Sequence, residues 1–414
     1  MNLLRFITAG NVDDGKSTLI GRLLFDSNAI STDILQTLSS QSKVKGVDTD
    51  IDLALLTDGL RAEREQGITI DVAYKYFSTP KRKFIIADTP GHSQYTRNMF
   101  TGASNADLAI LLLDVRHGIT DQTKRHSIIS SILNIQNIVV CINKMDLEGY
   151  SEAIFEQIKT EFTKFALPLG FRHISFIPVS ALEGDNVVQQ SKNMPWYKDE
   201  TLLSLLENID TSQPESLQAS RFQVQYVIRP QTNDFPDYRG FAGKVFSGTY
   251  SVGDRVKVLP SGTETTLASI EINQQQVSSA DAGQPVVFQL ADKIDVGRGN
   301  TIVPLNQLPR VETEFTATLC WMDNNPLLPG QKLLLQQNSF LTKALIKEIL
   351  HKIDIHTFNK SASDGTLNLN DICTVSIKTA LPLCFDPYLQ NRHTGAFILI
   401  NEQTKNTVAA GVIL

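Results

Sequence analysis

The sequence predicts an α/β domain with a doubly wound, mostly parallel sheet, followed by two β-barrel domains. Three observations predict this fold class: a glycine-rich loop at residues 10–17 between a strand and a helix, apolar runs that alternate with helical patterns as far as about residue 211, and short strands with glycine turns thereafter. A chain of 414 residues is too long for one hydrophobic core. We therefore expect domains at residues 1–212, 213–307 and 308–414.

Near-continuous apolar runs in the first domain are typical of parallel strands that are covered on both faces. They occur at residues 3–9, 84–87, 108–113, 138–142 and 176–179. An insertion with helical spacing lies between Asp26 and Gln66, and a polar stretch rich in helix breakers at residues 210–216 predicts a linker.

Short strands at regular spacing predict a small closed barrel in each of the two later domains. The first set lies at residues 222–228, 241–246, 255–259, 266–272 and 285–290, and the second at 315–321, 331–335, 341–355, 374–379 and 396–400.

Composition argues against several classes of partner, although a local basic patch stays open. The net charge of −6 lacks the basic balance expected of a nucleic-acid-binding protein, and no apolar run approaches the length of a membrane span. The four cysteines form no C-x-x-C pair, which argues against a zinc site and fits a reducing compartment. We expect a cytoplasmic protein with neither a nucleic-acid nor a membrane partner.

The glycine-rich loop fits the pattern G-x-x-x-x-G-K-[ST] in the context of a phosphate-binding loop, with a strand before it and a helix after it. It consists of Gly10, Asn11, Val12, Asp13, Asp14, Gly15, Lys16 and Ser17, and Thr18 opens the helix. Backbone N–H groups of such a loop converge on one anion, Lys16 adds a positive charge, and the Ser17 hydroxyl can ligate Mg²⁺. The sequence therefore predicts a nucleotide site.

A D-x-x-G loop follows the second apolar strand and consists of Asp88, Thr89, Pro90, Gly91 and His92. We expect Asp88 to hold Mg²⁺ through water and the Gly91 N–H to contact the γ-phosphate. His92 is the candidate for positioning the attacking water; a histidine that only caps a helix is the alternative. Thr69 is the candidate for a second, releasable hydroxyl on Mg²⁺ in a switch segment.

Two further loops indicate which base is bound. The first consists of Asn143, Lys144, Met145 and Asp146, and the second of Ser180, Ala181 and Leu182. The Asp146 carboxylate can accept from guanine N1 and N2, two donors that adenine lacks, and the Ala181 N–H can close over the guanine edge. Because a site built to bond those donors discriminates strongly, these loops favour GTP over ATP.

Asp13 places a carboxylate beside phosphates that it should repel. Our hypothesis is that a monovalent cation bound near Asp13 offsets this repulsion, and the alternative is that Asp13 caps the loop.

The four loops, in this order, resemble those of the translation-factor class of GTPases, in which a GTPase domain precedes two β-barrels. Within this class the chain resembles the large GTPase subunit family of bacterial sulfate adenylyltransferase rather than the elongation factors, which usually have histidine at the Asp14 position. The resemblance is carried by residues 10–24, 53–60, 63–74, 87–92, 181–187, 194–197 and 222–227.

This resemblance implies a GTP- and Mg²⁺-dependent subunit whose GTP hydrolysis drives the adenylation of sulfate by ATP, the first step of sulfate assimilation. The products are adenosine 5′-phosphosulfate and diphosphate. It also implies a small, ATP-binding catalytic subunit as partner, in a heterodimer or higher assembly. The chain itself has no S-G-G-x-D-S loop for ATP, which agrees with a separate site of AMP transfer.

Two other functions stay open at this point. An elongation-factor-like GTPase that carries aminoacyl-tRNA is the main alternative, and the acidic balance and Asp14 weigh against it. A GTP-dependent scaffold with negligible turnover is disfavoured by His92 and Thr69.

Overall fold

The structure is a computed structural model that describes residues 3–30, 71–91, 96–210, 218–230, 238–328, 330–354, 359–361 and 365–414. The chain divides into two compact units: Met1–Thr211 with Asp354–Asn359, and Ser212–Ile353 with Lys360–Leu414. Most of the predicted insertion at 26–66 and nearly all of the predicted linker at 210–216 lie outside the described residues.

Six strands form the sheet of the first unit: β1 (Leu3–Gly10), β2 (Ala73–Ser78), β3 (Lys83–Asp88), β4 (Leu108–Asp114), β5 (Asn137–Asn143) and β6 (His173–Pro178). Their spatial order is β2-β3-β1-β4-β5-β6. All neighbouring strands are parallel except β2, which pairs antiparallel with β3. The predicted mostly parallel sheet is therefore confirmed.

Every apolar run predicted in this unit is a strand, although β6 begins at His173 and ends at Pro178 rather than covering 176–179. All residues of β4 and β5 are buried, as expected for central strands covered on both faces. Strand β2 was not predicted. Tyr74 and Tyr76 point outward from this edge strand and are 47% and 71% exposed, so it lacks the continuous apolar run.

The described part of the first unit contains five α-helices: α1 (Lys16–Asp26), α2 (Thr96–Ala103), α3 (Asp121–Ile132), α4 (Glu152–Ala166) and α5 (Leu202–Asn208). Single 3-10 turns follow β5 at Met145–Glu148 and α4 at Leu167–Leu169. None of the helices in the described ranges is both long and apolar enough to cross a membrane.

The strand order places a topological switch point between β1 and β4, because the chain passes from β1 to β3 on one side and then returns to β4 on the other. In open α/β sheets ligands bind in the crevice at the carboxyl ends of the strands at such a point. The predicted phosphate loop begins there, at the end of β1.

The first barrel contains β7 (Arg221–Ile228), β8 (Gly240–Ser247), β9 (Thr249–Ser251), β10 (Arg255–Leu259), β11 (Thr263–Ile272), β12 (Gln275–Val277), β13 (Ser279–Asp281), β14 (Pro285–Leu290) and β15 (Thr301–Pro304). Six of them form a ring in the order β10-β15-β7-β8-β14-β11, which the pairing of β10 with β11 closes. Packed aromatic side chains of Phe222, Tyr250 and Phe288 fill its core. The predicted closed barrel is confirmed.

The second barrel contains β16 (Arg310–Trp321), β17 (Lys332–Gln337), β18 (Phe340–Ile353), β19 (Lys360–Ser361), β20 (Ile372–Phe385), β21 (Ala396–Ile400) and β22 (Thr407–Ile413). Its ring runs β17-β21-β22-β16-β20-β18, and the pairing of β17 with β18 closes it. Strand β20 is longer than the predicted strand at 374–379 and continues through Pro382. Near Pro382 the pairing of β20 with β16 shifts register, between Glu312 and Glu314 of β16.

The two barrels share a buried polar contact. Arg221, the first residue of β7, donates from Nε and Nη2 to the two carboxylate oxygens of Asp386, each over 2.8 Å. Thr394 Oγ1 donates to the same carboxylate over 2.7 Å. Arg221 is 2% exposed and Asp386 is 8% exposed, so this ion pair lies away from solvent.

Candidate nucleotide-binding site

The loop between β1 and α1 has the geometry that requires its two glycines. Gly15 lies at φ +92°, and a Cβ there would come within 2.5 Å of Asn143 Nδ2. A Cβ on Gly10 would lie 2.8 Å from the carbonyl oxygen of Leu112. Helix α1 begins at Lys16, two residues before the predicted Thr18, so the backbone N–H groups of its first turn face the carboxyl edge of the sheet.

Lys16 is buried beneath this loop. Its Nζ donates to the carbonyl oxygens of Gly10, over 3.1 Å, and Asn11, over 2.7 Å. Burial lowers the pKa of Lys16, and the neighbouring carboxylates of Asp88, Asp14 and Asp13 oppose that shift. Two backbone carbonyl oxygens of the loop thus hold the Lys16 ammonium group in this structure.

The D-x-x-G loop lies directly against the phosphate loop. A Cβ on Gly91 would lie 2.8 Å from the Gly10 carbonyl oxygen and 2.9 Å from the Asn11 carbonyl carbon, so only glycine fits at this point. Asp88 ends β3, is 1% exposed, and accepts from Thr8 Oγ1 over 2.9 Å. Thr89 Oγ1 donates to the Thr8 carbonyl over 2.7 Å. Pro90 is buried in the same loop, whereas His92 and Thr69 lie outside the described residues.

Asn143 joins three of the four predicted loops. Its Nδ2 donates to the carbonyl oxygen of Asp14 over 2.7 Å, and its Oδ1 accepts from the Ala181 N–H over 2.9 Å. Both contacts are buried. The amide of one side chain therefore fixes the phosphate loop and the Ser180 loop relative to the end of β5.

Lys144 makes a second connection between these loops. It lies in the left-handed region at φ +64°, and its Nζ donates to the Asp13 carbonyl oxygen over 2.6 Å and to Asp114 Oδ2 over 3.0 Å. Arg116 also donates to Asp114, from Nε over 3.0 Å and from Nη2 over 2.6 Å. Burial opposes ionisation of Asp114, but the hydrogen bonds from Arg116 and Lys144 outweigh it and hold the pKa of this carboxyl well below its usual range.

Asp146 presents an unsatisfied acceptor. Met145 is fully buried and its N–H donates to the Val179 carbonyl over 3.2 Å, which anchors the turn that carries Asp146. Asp146 Oδ1 is shielded from solvent and has no hydrogen-bond partner among the described residues. A buried carboxylate oxygen in this state costs free energy unless a donor reaches it. The N–H donors of guanine have the chemistry that this oxygen needs.

The Ser180 loop is held from two directions. Ser180 Oγ accepts from the Glu183 N–H over 3.2 Å, and Arg22 of α1 donates from Nε to the Ala181 carbonyl over 3.2 Å. Arg22 Nη2 also donates to the carbonyl of Leu182. Ala181 is buried, while the Leu182 side chain is 61% exposed beside it. The Ala181 backbone is therefore held at its N–H by Asn143 and at its carbonyl by Arg22.

The two aspartates of the phosphate loop differ in environment. Asp14 is 2% exposed, and its Oδ2 accepts from the Asn11 N–H over 2.6 Å. Burial raises the pKa of Asp14, while the Asn11 N–H and the Lys16 ammonium oppose the shift. Asp13 is exposed and adopts φ +67°. The carboxylate that bonds within the loop is therefore that of Asp14.

Sequence reasoning missed three residues that shape this site. These are Thr8, Arg22 and Asp114, none of which lies in a nucleotide motif. Asp114 offered the clearest signal, because a single charged residue ends an otherwise wholly apolar strand. In the described ranges, no group of three or more His, Cys, Asp or Glu side chains could hold a metal ion.

A phosphate loop at the switch point, an adjoining D-x-x-G loop and a carboxylate poised for guanine together define a GTP-binding protein of the P-loop class. Residues 1–215 match the family described as elongation factor Tu GTP binding domain, and residues 314–414 match the GTP-eEF1A C-terminal domain-like family.

The chain belongs to the sulfate adenylyltransferase subunit 1 family. It is 50% identical over 412 residues to that protein from Colwellia psychrerythraea strain 34H, covering 99% of this chain and 87% of the relative. It is 49% identical over 416 residues to the protein of the same name from Francisella tularensis subsp. novicida strain U112, covering 100% of this chain and 87% of the relative.

A third relative has a longer chain. The bifunctional enzyme CysN/CysC of Mycobacterium tuberculosis strain ATCC 25618 / H37Rv is 48% identical over 413 residues, which cover 100% of this chain and 67% of the relative. Two solved structures, of sup35 complexed with GMPPNP and with GDP, align with 100% of this chain and 94% of theirs at 21% identity, with TM-scores of 0.46 and 0.45.

Proposed function

We propose that this chain hydrolyses GTP as the large subunit of a sulfate adenylyltransferase, and that the hydrolysis drives the adenylation of sulfate by ATP on a separate, small ATP-binding subunit. The observation that carries GTP as the nucleotide is the buried Asp146 Oδ1, which has no hydrogen-bond partner in the part of the chain that the structure describes. Family membership, at 50% identity over 412 residues, supports the coupling to sulfate.

We assign the phosphates of GTP to the loop from Gly10 to Thr18 and the γ-phosphate also to the loop from Asp88 to His92. Lys16 would turn its ammonium from the Gly10 and Asn11 carbonyls to the phosphate oxygens. The guanine would lie between Asp146 and the Ala181 backbone. Asn143 supports this assignment because it fixes both neighbouring loops in place.

The residues present fit a bound Mg²⁺. Ser17 offers a hydroxyl at the start of α1, and Asp88 is a buried carboxylate already oriented by Thr8, suited to a water-mediated contact. Thr69 would supply a second hydroxyl. Bound Mg²⁺ would supply charge neutralisation on the phosphates.

Two further assignments complete the proposed site. His92 would position the attacking water. We place a monovalent cation at Asp13, which is an exposed residue of the phosphate loop.

The reaction explains why two nucleotides are needed. Transfer of AMP from ATP to sulfate forms a phosphoric–sulfuric anhydride and releases diphosphate, and this transfer is unfavourable. Hydrolysis of GTP to GDP and phosphate consumes water and is favourable, so coupling the two shifts the balance toward product. We place the assembled enzyme in the cytoplasm, as a heterodimer or a larger complex.

Reconstitution tests this proposal directly. The chain and its small partner subunit are purified together, and diphosphate release from ATP is measured with and without sulfate and GTP. We expect release to require sulfate and to rise with GTP, whereas a Lys16→Ala variant should lose the response to GTP. Release that is independent of GTP in the wild-type complex would refute the coupling.

The alternative of an aminoacyl-tRNA carrier has its own measurement. Filter binding of charged tRNA in the presence of GTP should give no retention above that of GDP. Retention that depends on GTP would favour the alternative.

A further inference from the structure

Asp114 occupies an unusual position for a charged residue. It ends β4, the strand between β1 and β5, and the six residues before it are apolar and buried. Asp114 itself is only 2% exposed. An ionised carboxylate in a buried position costs free energy unless hydrogen-bond donors surround it. The contacts of Asp114 therefore indicate its role.

The donors around Asp114 come from two directions. Lys144 Nζ lies 3.0 Å from Oδ2, and the Arg116 guanidinium makes two bonds, at 3.0 and 2.6 Å. The Arg116 side chain is 43% exposed, while that of Lys144 is 26% exposed. Lys144 is therefore the more buried of the two cations, and it forms an ion pair with this carboxylate.

The same ammonium group also donates to the Asp13 carbonyl over 2.6 Å. Asp114, Lys144 and Asp13 thus form a continuous link from the end of β4, through the guanine loop, to the phosphate loop. A lysine ammonium lies at the end of a flexible four-carbon side chain. A single carbonyl acceptor would not keep it from moving out into solvent. Because the Asp114 carboxylate carries the opposite charge, it adds an ion pair that holds the ammonium in this place.

We propose that Asp114 is a positioning residue for the guanine nucleotide, acting through Lys144: its carboxylate holds the ammonium where it joins the guanine loop to the phosphate loop. This inference rests on the proposed GTP function of the same site. It predicts that Asp114 strengthens nucleotide binding without touching the nucleotide.

A purely structural role is the competing explanation. Asp114 Oδ1 accepts from the backbone N–H of Arg116 over 3.0 Å, so the carboxylate also caps the turn after β4. Loss of the cap would weaken the fold, but that loss would be independent of Lys144.

A double-mutant cycle separates the two roles. The affinity of the full chain for GDP is measured for the wild type, Asp114→Asn, Lys144→Ala and the double variant, together with KM and kcat for GTP hydrolysis. We expect Asp114→Asn to weaken GDP binding about tenfold and to raise KM with little change in kcat, because one charge-assisted bond is lost. The double variant should bind GDP no more weakly than Lys144→Ala.

Asp107→Asn is the matched control, because Asp107 lies just before β4 at the opposite end of the same strand and accepts from the Arg5 N–H. Its GDP affinity should equal that of the wild type. If Asp114→Asn fails to fold, Asp114→Ser keeps an oxygen that can cap the turn and takes its place in the cycle.

Two outcomes would overturn the inference: an unchanged affinity in the Asp114 variant, or effects that multiply in the double variant. A wild-type chain that binds neither GDP nor GTP would instead contradict the proposed function, so the two failures are distinguishable.

Discussion

The side-chain amide of Asn143 donates to the backbone carbonyl of Asp14 over 2.7 Å, across 129 positions of sequence. This bond fixes the phosphate loop against the end of β5. Asn143→Ala would leave this carbonyl and the Ala181 N–H without their partner, at a cost of about 2 kcal/mol or more in the free energy of unfolding. We also expect weaker GDP binding, measured by fluorescence titration.

The control for this change is Asn137→Ala, at the other end of β5, where the side-chain amide lies 3.5 Å from the Asp107 carbonyl. It should lower stability without altering GDP affinity. An equal loss of affinity in both variants would show that the contact with Asp14 has no specific role.

Asp146→Asn should change which base is bound. Asp146 Oδ1, which has no partner among the residues that the structure describes, suits the donors of guanine, whereas an asparagine amide can donate to the extra carbonyl of xanthine. We expect guanosine nucleotides to bind roughly a hundredfold or more weakly and xanthosine nucleotides to bind better. Competition binding with GDP and XDP measures this. Glu148→Gln, on the same 3-10 turn and exposed, serves as the control; retained guanine selectivity in Asp146→Asn would count against the assignment.

Gly15→Ala should be far more harmful than the same change at Gly149. Both residues have positive φ, at +92° and +59°, so both substitutions place an alanine in the left-handed region at a cost of about 1–2 kcal/mol. Only at Gly15 does the new Cβ meet another group, Asn143 Nδ2 at 2.5 Å. Chemical denaturation and GDP titration of the two variants measure the difference. Equal stability losses would mean that the loop moves to accommodate the methyl group.

His126 on α3 should make the first unit sensitive to acid. Burial lowers its pKa to about 3, with Lys16 and Arg125 adding to the shift, while in the unfolded chain the pKa is about 6.5. Below about pH 6.5 the unfolded chain therefore binds a proton that the folded chain does not. Stability should fall by up to about 1.4 kcal/mol per pH unit as the pH drops toward 3.

The variant that tests this is His126→Gln, which removes the titrating group. Its denaturation midpoint should depend less on pH than that of the wild type, and His173→Gln, at an exposed position on β6, should behave as the wild type does. Parallel pH profiles for wild type and His126→Gln would contradict the prediction.

The central strands could be predicted, and the four loops could be proposed as nucleotide-binding, because each signal is local in sequence. A parallel strand buried on both faces is apolar throughout, and phosphate and guanine chemistry restrict the residues of each loop. Edge strand β2 could not be predicted in the same way, because Tyr74 and Tyr76 face outward and interrupt the apolar pattern. Short strands such as β9 and β13 span three residues each, too few for a periodic signal.

The supporting residues of the site could not be predicted because their partners are distant in the chain. Arg22 contacts Ala181 across 159 positions, and Thr8 contacts Asp88 across 80. Neither residue type is required by nucleotide chemistry. Asp114 was marked by its place at the end of an apolar strand, but only the folded arrangement reveals its contact with Lys144.

The ion pair between Arg221 and Asp386 has a mechanical consequence. Arg221 belongs to the first barrel and Asp386 to the second, so pulling the barrels apart would leave a buried charge without its partner on each side. Movement of one barrel relative to the other therefore requires this buried ion pair to break.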